Sequence, residues 1–315
     1  MARSAIGLDV GGTKIAAFRV AESGEIEERS QRPTPEDAEA IVTTMTDLAS
    51  ELVTTDVAAV GIGAAGMVDF ANGVLRYAPN LPWRDLALSA RVAAATALPC
   101  LLDNDANAAA WAEYRFGAGR GSIDMLLVTV GTGIGGGIVS GGKVFRGAHG
   151  FAAEIGHIIV EPNGPLCGCG NRGCWEQVAA GRAIDRLGRE AARDHPDALF
   201  VKLAGGDPDA VTGVAVTQAA REGDDLAREI LTEVGKRLGE GIAGLVNVLD
   251  PDVVVVGGGV IVAEDLLLDP ARASFTAAVE APEHRPPVPI VPAVLGNEAG
   301  AVGAAVLALE ELSRS

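Results

Sequence analysis

Two periodicities of apolar residues alternate along the chain. Ile6, Leu8 and Val10 alternate with smaller residues, Gly11-Gly12-Thr13-Lys14 interrupts, and an extended apolar pattern resumes over residues 15–20. A period of two on both sides of a glycine turn predicts strand, turn, strand. A helix is predicted over residues 35–53, with Glu36 and Asp37 in its first turn. Residues 57–69 read as a buried strand entering a glycine-rich loop, 86–97 as helix, 98–105 as a strand with a polar end, and 106–117 as an alanine-rich helix. Residues 125–145 repeat the opening theme with strand MLLVTV, turn GTGIGGG and extended return IVSGGKVF. Two such units, about 120 residues apart, suggest a duplicated fold. Helices follow over 180–194 and within 217–249, then a strand over 253–256 ending in Gly257-Gly258-Gly259. The proline-rich stretch 281–292 is read as extended, and 299–314 as an amphipathic helix. Alternating strands and helices imply an α/β architecture.

The length of 315 residues suggests two domains. The hydrophobic share of 48% excludes disorder over most of the chain. Lys and Arg number 25 and Asp and Glu 42, a net charge of −17 that repels phosphate backbones, so nucleic acid is not an expected partner. The longest uncharged run, residues 125–142, contains seven glycines and is a poor membrane span. The opening segment reaches Asp9 too early for a signal-peptide apolar region. No membrane association and a cytoplasmic location are expected.

Four groups of residues carry candidate chemistry. Gly11, Gly12, Thr13 and Lys14, and likewise Gly131, Thr132 and Gly133, form tight turns whose backbone N–H groups suit anions. Each turn precedes a strand, which excludes a Walker loop and a dinucleotide fingerprint. Asp9, just before the first turn, could hold a hydrated Mg²⁺ between phosphates or simply cap the strand end. Asp103-Asn104-Asp105 ends a strand and begins a helix, where α/β sheets bind ligands. One of these three is expected to be a helix N-cap, and a carboxylate among them could accept a substrate hydroxyl proton. His157, Cys167, Cys169 and Cys174 supply the ligand set of a closed structural Zn²⁺ site. Cys100 lies apart from them, and a disulfide framework is not expected. Glu154 and Glu176 flank the cluster and could accept hydrogen bonds from hydroxyls or remain solvated. Gly257–Gly259 would admit a flat ligand such as adenine, or form a plain turn.

Taken together, LDVGGTK at 8–14, DNDANAAAWAE at 103–113, VGTGIGGG at 130–137, EIGH at 154–157, CGCGNRGCWE at 167–176 and VVGGG at 255–259 resemble the ROK family of repressors, open reading frames and kinases. The resemblance covers almost the whole chain and is similar to the family's ATP-dependent bacterial kinases of glucose. It implies a two-domain α/β sugar-kinase fold, related to actin and hexokinase, with a cleft between the domains. The expected small domain is 1–106, with the helix 300–315 packing back on it, and the larger one is 107–299. By the same resemblance Asp105 is the base for the sugar 6-hydroxyl. Gly66, Asn80, Asn104, Glu154, His157 and Glu176 hold the other hydroxyls. The turns at 11–14 and at Thr132–Gly133 hold ATP phosphates, Gly258 and Gly259 the adenosine, and Mg²⁺ accompanies ATP. A homo-oligomer, dimer or tetramer, is implied too. The rival substrates are fructose, N-acetylmannosamine and N-acetylglucosamine, with polyphosphate a rival donor. A sugar-sensing repressor is disfavoured, because repressors of the family carry a helix-turn-helix before the first strand.

Overall fold

The opening alternation folds as β1 (Ser4–Val10) and β2 (Lys14–Ala21), an antiparallel pair in which Val10 faces Ile15 across the turn. This and all that follows is seen in a computed structural model, described over residues 3–78, 81–263 and 265–312. The chain clusters into two compact units, Met1–Leu127 with Gly136–Ala153 and Ala293–Ser315, and Val128–Gly135 with Glu154–Pro292.

In the first unit, β3 (Ile26–Pro33) extends the hairpin. Its run of charges hides it from a hydrophobicity reading, yet charges are what a solvent-facing edge strand carries. Helix α1 (Ala38–Glu51) starts where Asp37 accepts hydrogen bonds from the Glu39 and Ala40 N–H groups. β4 (Val57–Ala64) is followed by three short antiparallel strands that the sequence reading does not anticipate, β5 (Met67–Asp69), β6 (Val74–Tyr77) and β7 (Arg84–Leu86). Helix α2 (Leu88–Thr96), β8 (Cys100–Asn104) and helix α3 (Asp105–Phe116) follow. The main sheet runs β3-β2-β1-β4-β8, with β4 parallel to both β1 and β8. Ile6, Leu8, Val60 and Ile62 share one core with Ile41, Met45 and Leu48 of α1 and Leu88 and Val92 of α2. On the opposite face Gly7 and Gly61 are register partners.

In the second unit and the segments that join it, β9 (Met125–Val130), β10 (Ile134–Ser140), β11 (Lys143–Val144), β12 (Val253–Gly257) and β13 (Ile290–Pro292) form a sheet in the order β11-β10-β9-β12-β13. The turn between β9 and β10 is shorter than predicted, because Gly135–Gly137 lie inside β10. Gly137 fits there for a packing reason: a Cβ on it would stand 2.6 Å from the Ala106 carbonyl oxygen of α3. Short α4 (Glu176–Ala179) leads into α5 (Gly181–Asp194), α6 (Leu199–Leu203), α7 (Gly213–Arg221), α8 (Asp225–Leu249) and α9 (Asp265–Ala278). The helical stretch 217–249 is broken at Asp224, whose carboxylate caps α8 through the Ala227 N–H. Helix α9, absent from the sequence reading, packs on α8 at Gly235 and Gly239, where a Cβ would meet the Leu267 and Ala271 carbonyls at 2.6 and 2.1 Å. The proline-rich stretch is only partly extended: residues 282–285 form a turn closed by the His284 N–H donating to the Ala281 carbonyl, and the end of the stretch pairs as β13 with β12.

The last helix, α10 (Ala299–Leu312), departs from its predicted amphipathic character. Residues 299–309 are buried almost without break. Its backbone lies directly on the first sheet: a Cβ on Gly7 would stand 1.8 Å from the Ala301 oxygen, and one on Gly61 1.8 Å from the Ala304 oxygen. Its other side meets α3, where a Cβ on Gly303 would reach the Ala108 oxygen at 1.7 Å. Covered on both sides, it is apolar all round, as buried helices are. Among the described residues no helix is long and apolar enough to cross a membrane.

Gly61→Ala is expected to destabilise the protein by about 1–3 kcal/mol or more, because backbone and not a flexible side chain blocks the new methyl. Chemical denaturation checks this, and a variant as stable as wild type would contradict the packing.

Candidate active site

The polar end of β8 divides three jobs among three neighbours. Asp103 is buried, and its Oδ1 accepts hydrogen bonds from the Asn104 N–H (2.8 Å) and Asn107 Nδ2 (2.9 Å). Its Oδ2 accepts one from Arg146 Nε at 2.7 Å. Burial pushes the Asp103 carboxyl up, and the Arg146 guanidinium pulls it back down. Asn104 is the N-cap: its Oδ1 accepts from the Ala106 and Asn107 N–H groups, and its Nδ2 donates to the Gly66 carbonyl at 3.1 Å. Asp105 opens the first turn of α3. It makes no ion pair with the described residues, and burial pushes its carboxyl up, with the Ala106 N–H acting against the shift. Gly66, at φ +129°, has no room for a side chain, since a Cβ would stand 2.2 Å from the Tyr77 oxygen. Asn80 lies outside the described residues.

Asp9 is the next-to-last residue of β1, with Val10 between it and the first glycine turn. A Cβ on Gly300 would stand 2.9 Å from its carboxyl carbon, so the start of α10 closes on it. Burial first, then the Asp105 carboxylate, pushes Asp9 up to about 6, while Lys14 works in the other direction. The turn itself is held by the Gly11 N–H donating to the Lys14 carbonyl at 3.1 Å and by Thr34 Oγ1 donating to the Gly11 carbonyl at 2.7 Å. Gly12, Thr13 and Lys14 are exposed. Thr34 has no motif around it, which is why the sequence reading passes over it.

In the second unit, the Gly131 N–H donates to the Gly133 carbonyl, closing the same kind of turn. The first N–H groups of α5, those of Gly181 and Arg182, donate to the Gly131 and Thr132 carbonyls. Gly258, at φ +93°, packs on β9, where a Cβ would meet the Val130 oxygen at 2.4 Å. Gly259 follows it and is exposed. Glu176 packs against Gly133: a Cβ there would stand 2.3 Å from Glu176 Oε2.

The donor atoms of His157, Cys167, Cys169 and Cys174 all lie within 4.8 Å of one another. Cys169 Sγ is 3.5 Å from Cys174 Sγ, and Cys167 Sγ is 3.7 Å from His157 Nδ1. Metal–sulfur bonds of about 2.3 Å at tetrahedral angles give edges of about 3.8 Å, so the donors fit such an ion. The loop folds with little regular structure, through backbone hydrogen bonds such as Cys167 N–H to the Asn171 carbonyl. Trp175 pins it to α8: the ring is fully buried, Nε1 donates to the Arg237 carbonyl at 2.9 Å, and Gly241 leaves room for it. Glu176 is tied to the cluster, since Cys167 Sγ stands 3.1 Å from its Oε1. Glu154 is exposed and precedes the single turn Ile155–His157. Cys100 stands apart, its thiol pushed up to about 12 by burial.

The structure therefore groups Asp9, the 11–14 turn, Gly66, Asn104 and Asp105 in one unit. In the other it groups Thr132–Gly133, Glu176 and the His157–cysteine cluster. Arg146, which the sequence reading does not select, pairs with Asp103, the residue before Asn104. It stands alone in sequence, and only the fold delivers it to Asp103.

Comparison with known proteins defines the class. Residues 5–311 match the model of the ROK family, and the chain belongs to that family. It is 45% identical to the glucokinase of Streptomyces coelicolor A3(2), over 97% of each chain. It is 37% identical to the glucokinase of Thermotoga maritima, over 98% of each. A crystal structure of a ROK family glucokinase from Streptomyces griseus, in complex with glucose and AMPPNP, matches with a TM-score of 0.87 and 46% identity, covering 98% of this chain and 99% of that one. The α/β fold is that of the family's sugar kinases.

The raised Asp9 carboxyl has a consequence for stability. Between about pH 4 and about pH 6 the folded chain holds this proton and the unfolded chain does not, so stability falls as pH rises through that window. Asp9→Asn is expected to raise the unfolding free energy at pH 7.5 by up to about 3 kcal/mol, the gain shrinking towards zero near pH 4. Urea titrations at the two pH values check this, and a variant less stable than wild type at pH 7.5 would refute it.

Proposed function

We propose that this protein transfers the γ-phosphoryl group of ATP to the 6-hydroxyl of glucose, with Asp105 accepting the hydroxyl proton. The observation that carries the assignment is the division of labour at the end of β8. Asp103 and Asn104 are committed to internal hydrogen bonds, whereas Asp105 starts a helix without a cation partner among the described residues. A carboxylate is a weak base, but phosphoryl transfer depends mainly on positioning and charge stabilisation, so a weak base suffices. Burial lifts Asp105 towards a more basic carboxylate, which favours proton acceptance.

The remaining assignments rest on the family motifs and on the local geometry. Asn104 spends one N–H on Gly66 and keeps a second for a sugar hydroxyl. By the family motifs, Glu154, Glu176, His157 Nε2, Gly66 and Asn80 would contact other hydroxyls of the sugar. The turns at Gly11–Lys14 and Thr132–Gly133 would hold phosphates, Gly258 and Gly259 would border adenosine, and Asp9 would face the Mg²⁺ carried by ATP. Mg²⁺ neutralises the phosphate charge that develops during transfer. His157, Cys167, Cys169 and Cys174 would hold Zn²⁺. A full set of four protein ligands leaves no open position, so the ion's part is to fix the loop that runs into Trp175 and Glu176. Three metal-binding thiolates suit a reducing cytoplasm. Family resemblance also supports a homo-oligomer.

Glucose-dependent ADP release from MgATP, compared with mannose, fructose, N-acetylglucosamine and N-acetylmannosamine, tests the reading. The highest kcat/KM is expected for glucose. Another sugar in first place would overturn the substrate, and no turnover with any of them would overturn the enzyme class. Asp105→Ala is expected to fold and to lose at least about a hundredfold in kcat. Cys169→Ser is expected to lower bound zinc from one per chain, read by elemental analysis, and to lower the thermal midpoint. Unchanged zinc content would remove the site.

A further inference from the structure

We infer that Arg146 is a positioning residue for the reaction: its guanidinium anchors Asp103 and, through it, fixes the Asn104 cap and the helix turn that carries Asp105. The inference rests on the proposed role of Asp105. Asp103 is 2% and Arg146 14% exposed at the side chain, so their 2.7 Å contact is a buried ion pair. A buried pair of this kind weakens badly when only one partner is removed. The other Asp103 oxygen holds the Asn104 N–H and Asn107 Nδ2. Asp103 therefore grips the residues on both sides of Asp105, one at the cap and one in the first turn. Asn104 in turn grips the Ala106 and Asn107 N–H groups and the Gly66 carbonyl. The hydrogen bonds from guanidinium to cap to first turn measure 2.7, 2.8, 2.9 and 3.2 Å.

Arg146 is itself held on three sides. Its guanidinium carbon lies 3.8 Å from the centre of the Phe70 ring, its Nε is on Asp103, and its Nη1 stands 3.5 Å from Glu311 of α10. Stacking, the Nε bond and the Nη1 contact engage a planar group that a lysine ammonium cannot reproduce, while Nη2 is buried without a hydrogen-bond partner among the described residues. Arg146 touches Asp105 at none of these contacts, so its effect runs through Asp103 and Asn104.

The test compares Arg146→Lys, Arg146→Met and the double variant Arg146→Met with Asp103→Asn. Steady-state kinetics with glucose and MgATP are read beside hydrogen exchange at the Ala106 and Asn107 amides without substrates. Arg146→Met is expected to lose about 10- to 100-fold in kcat, with KM for MgATP within about twofold of wild type and faster exchange at both amides. Arg146→Lys should recover part of both losses. The double variant should recover most of both, because a neutral amide at position 103 needs no cation. A kcat within about twofold of wild type in Arg146→Met, with unchanged exchange, overturns the inference. So does a loss that neither the lysine nor the double variant relieves. If Arg146→Met fails to fold, a folded double variant with protected amides supports the inference and an unfolded one overturns it. Wild-type protein without glucose-dependent turnover would sink the proposed function alone, since the exchange comparison still decides what Arg146 does.

Discussion

Close approach of backbone to backbone, at positions without a side chain, is the constraint on which the first unit depends. Gly7 and Gly61 sit side by side in parallel strands and let the backbone of α10 lie on the sheet. Gly303 of α10 lets α3 lie on the helix, and Gly137 of β10 lets that strand lie on α3 at Ala106 and Ala110. Sheet, helix, helix and strand are thus stacked with almost no side-chain padding. Interiors packed at this density transmit strain rather than absorb it. The helix that begins at Asp105 is consequently wedged on two sides.

Polar contacts complete the placement. Glu113, fully buried near the far end of α3, accepts hydrogen bonds from the Val294 and Leu295 N–H groups through one oxygen and from the Ala118 N–H through the other. A carboxylate at one end of α3 therefore fastens the loop that returns the chain to α10, while Asp103 and Asn104 fasten the other end. Asp9 and Asp105 are both pushed up by burial, and Asp9 also by Asp105. An ionised Asp105 opposes ionisation of Asp9, so Asp9 favours a bound cation or a proton.

The cysteine loop solves a different problem. It has almost no regular structure of its own, and Gly173, at φ +72°, packs so tightly that a Cβ would stand 1.7 Å from the Glu161 oxygen. Trp175 buries one end of it against α8. Glu176, the next residue, bridges from Cys167 to the Gly133 turn, so the donor cluster and the second glycine turn share a single side chain.

The sequence by itself determined both strand–glycine–strand hairpins, the grouping of His157 with three cysteines, and that one residue of Asp103-Asn104-Asp105 would be a helix cap. These are local matters of period, turn chemistry and ligand spacing, and they need no knowledge of distant partners. It did not determine β3, whose charges conceal an edge strand, or the strands within residues 67–86, which are too short to show a period. Helix α10 read as amphipathic because its alanines and glycines are neutral to periodicity; only its place between sheet and α3 makes it buried all round. Which member of the triplet caps and which anchors was decided by tertiary structure. Arg146 stands 43 positions from Asp103 in the chain, and only folding places its charge against that carboxylate.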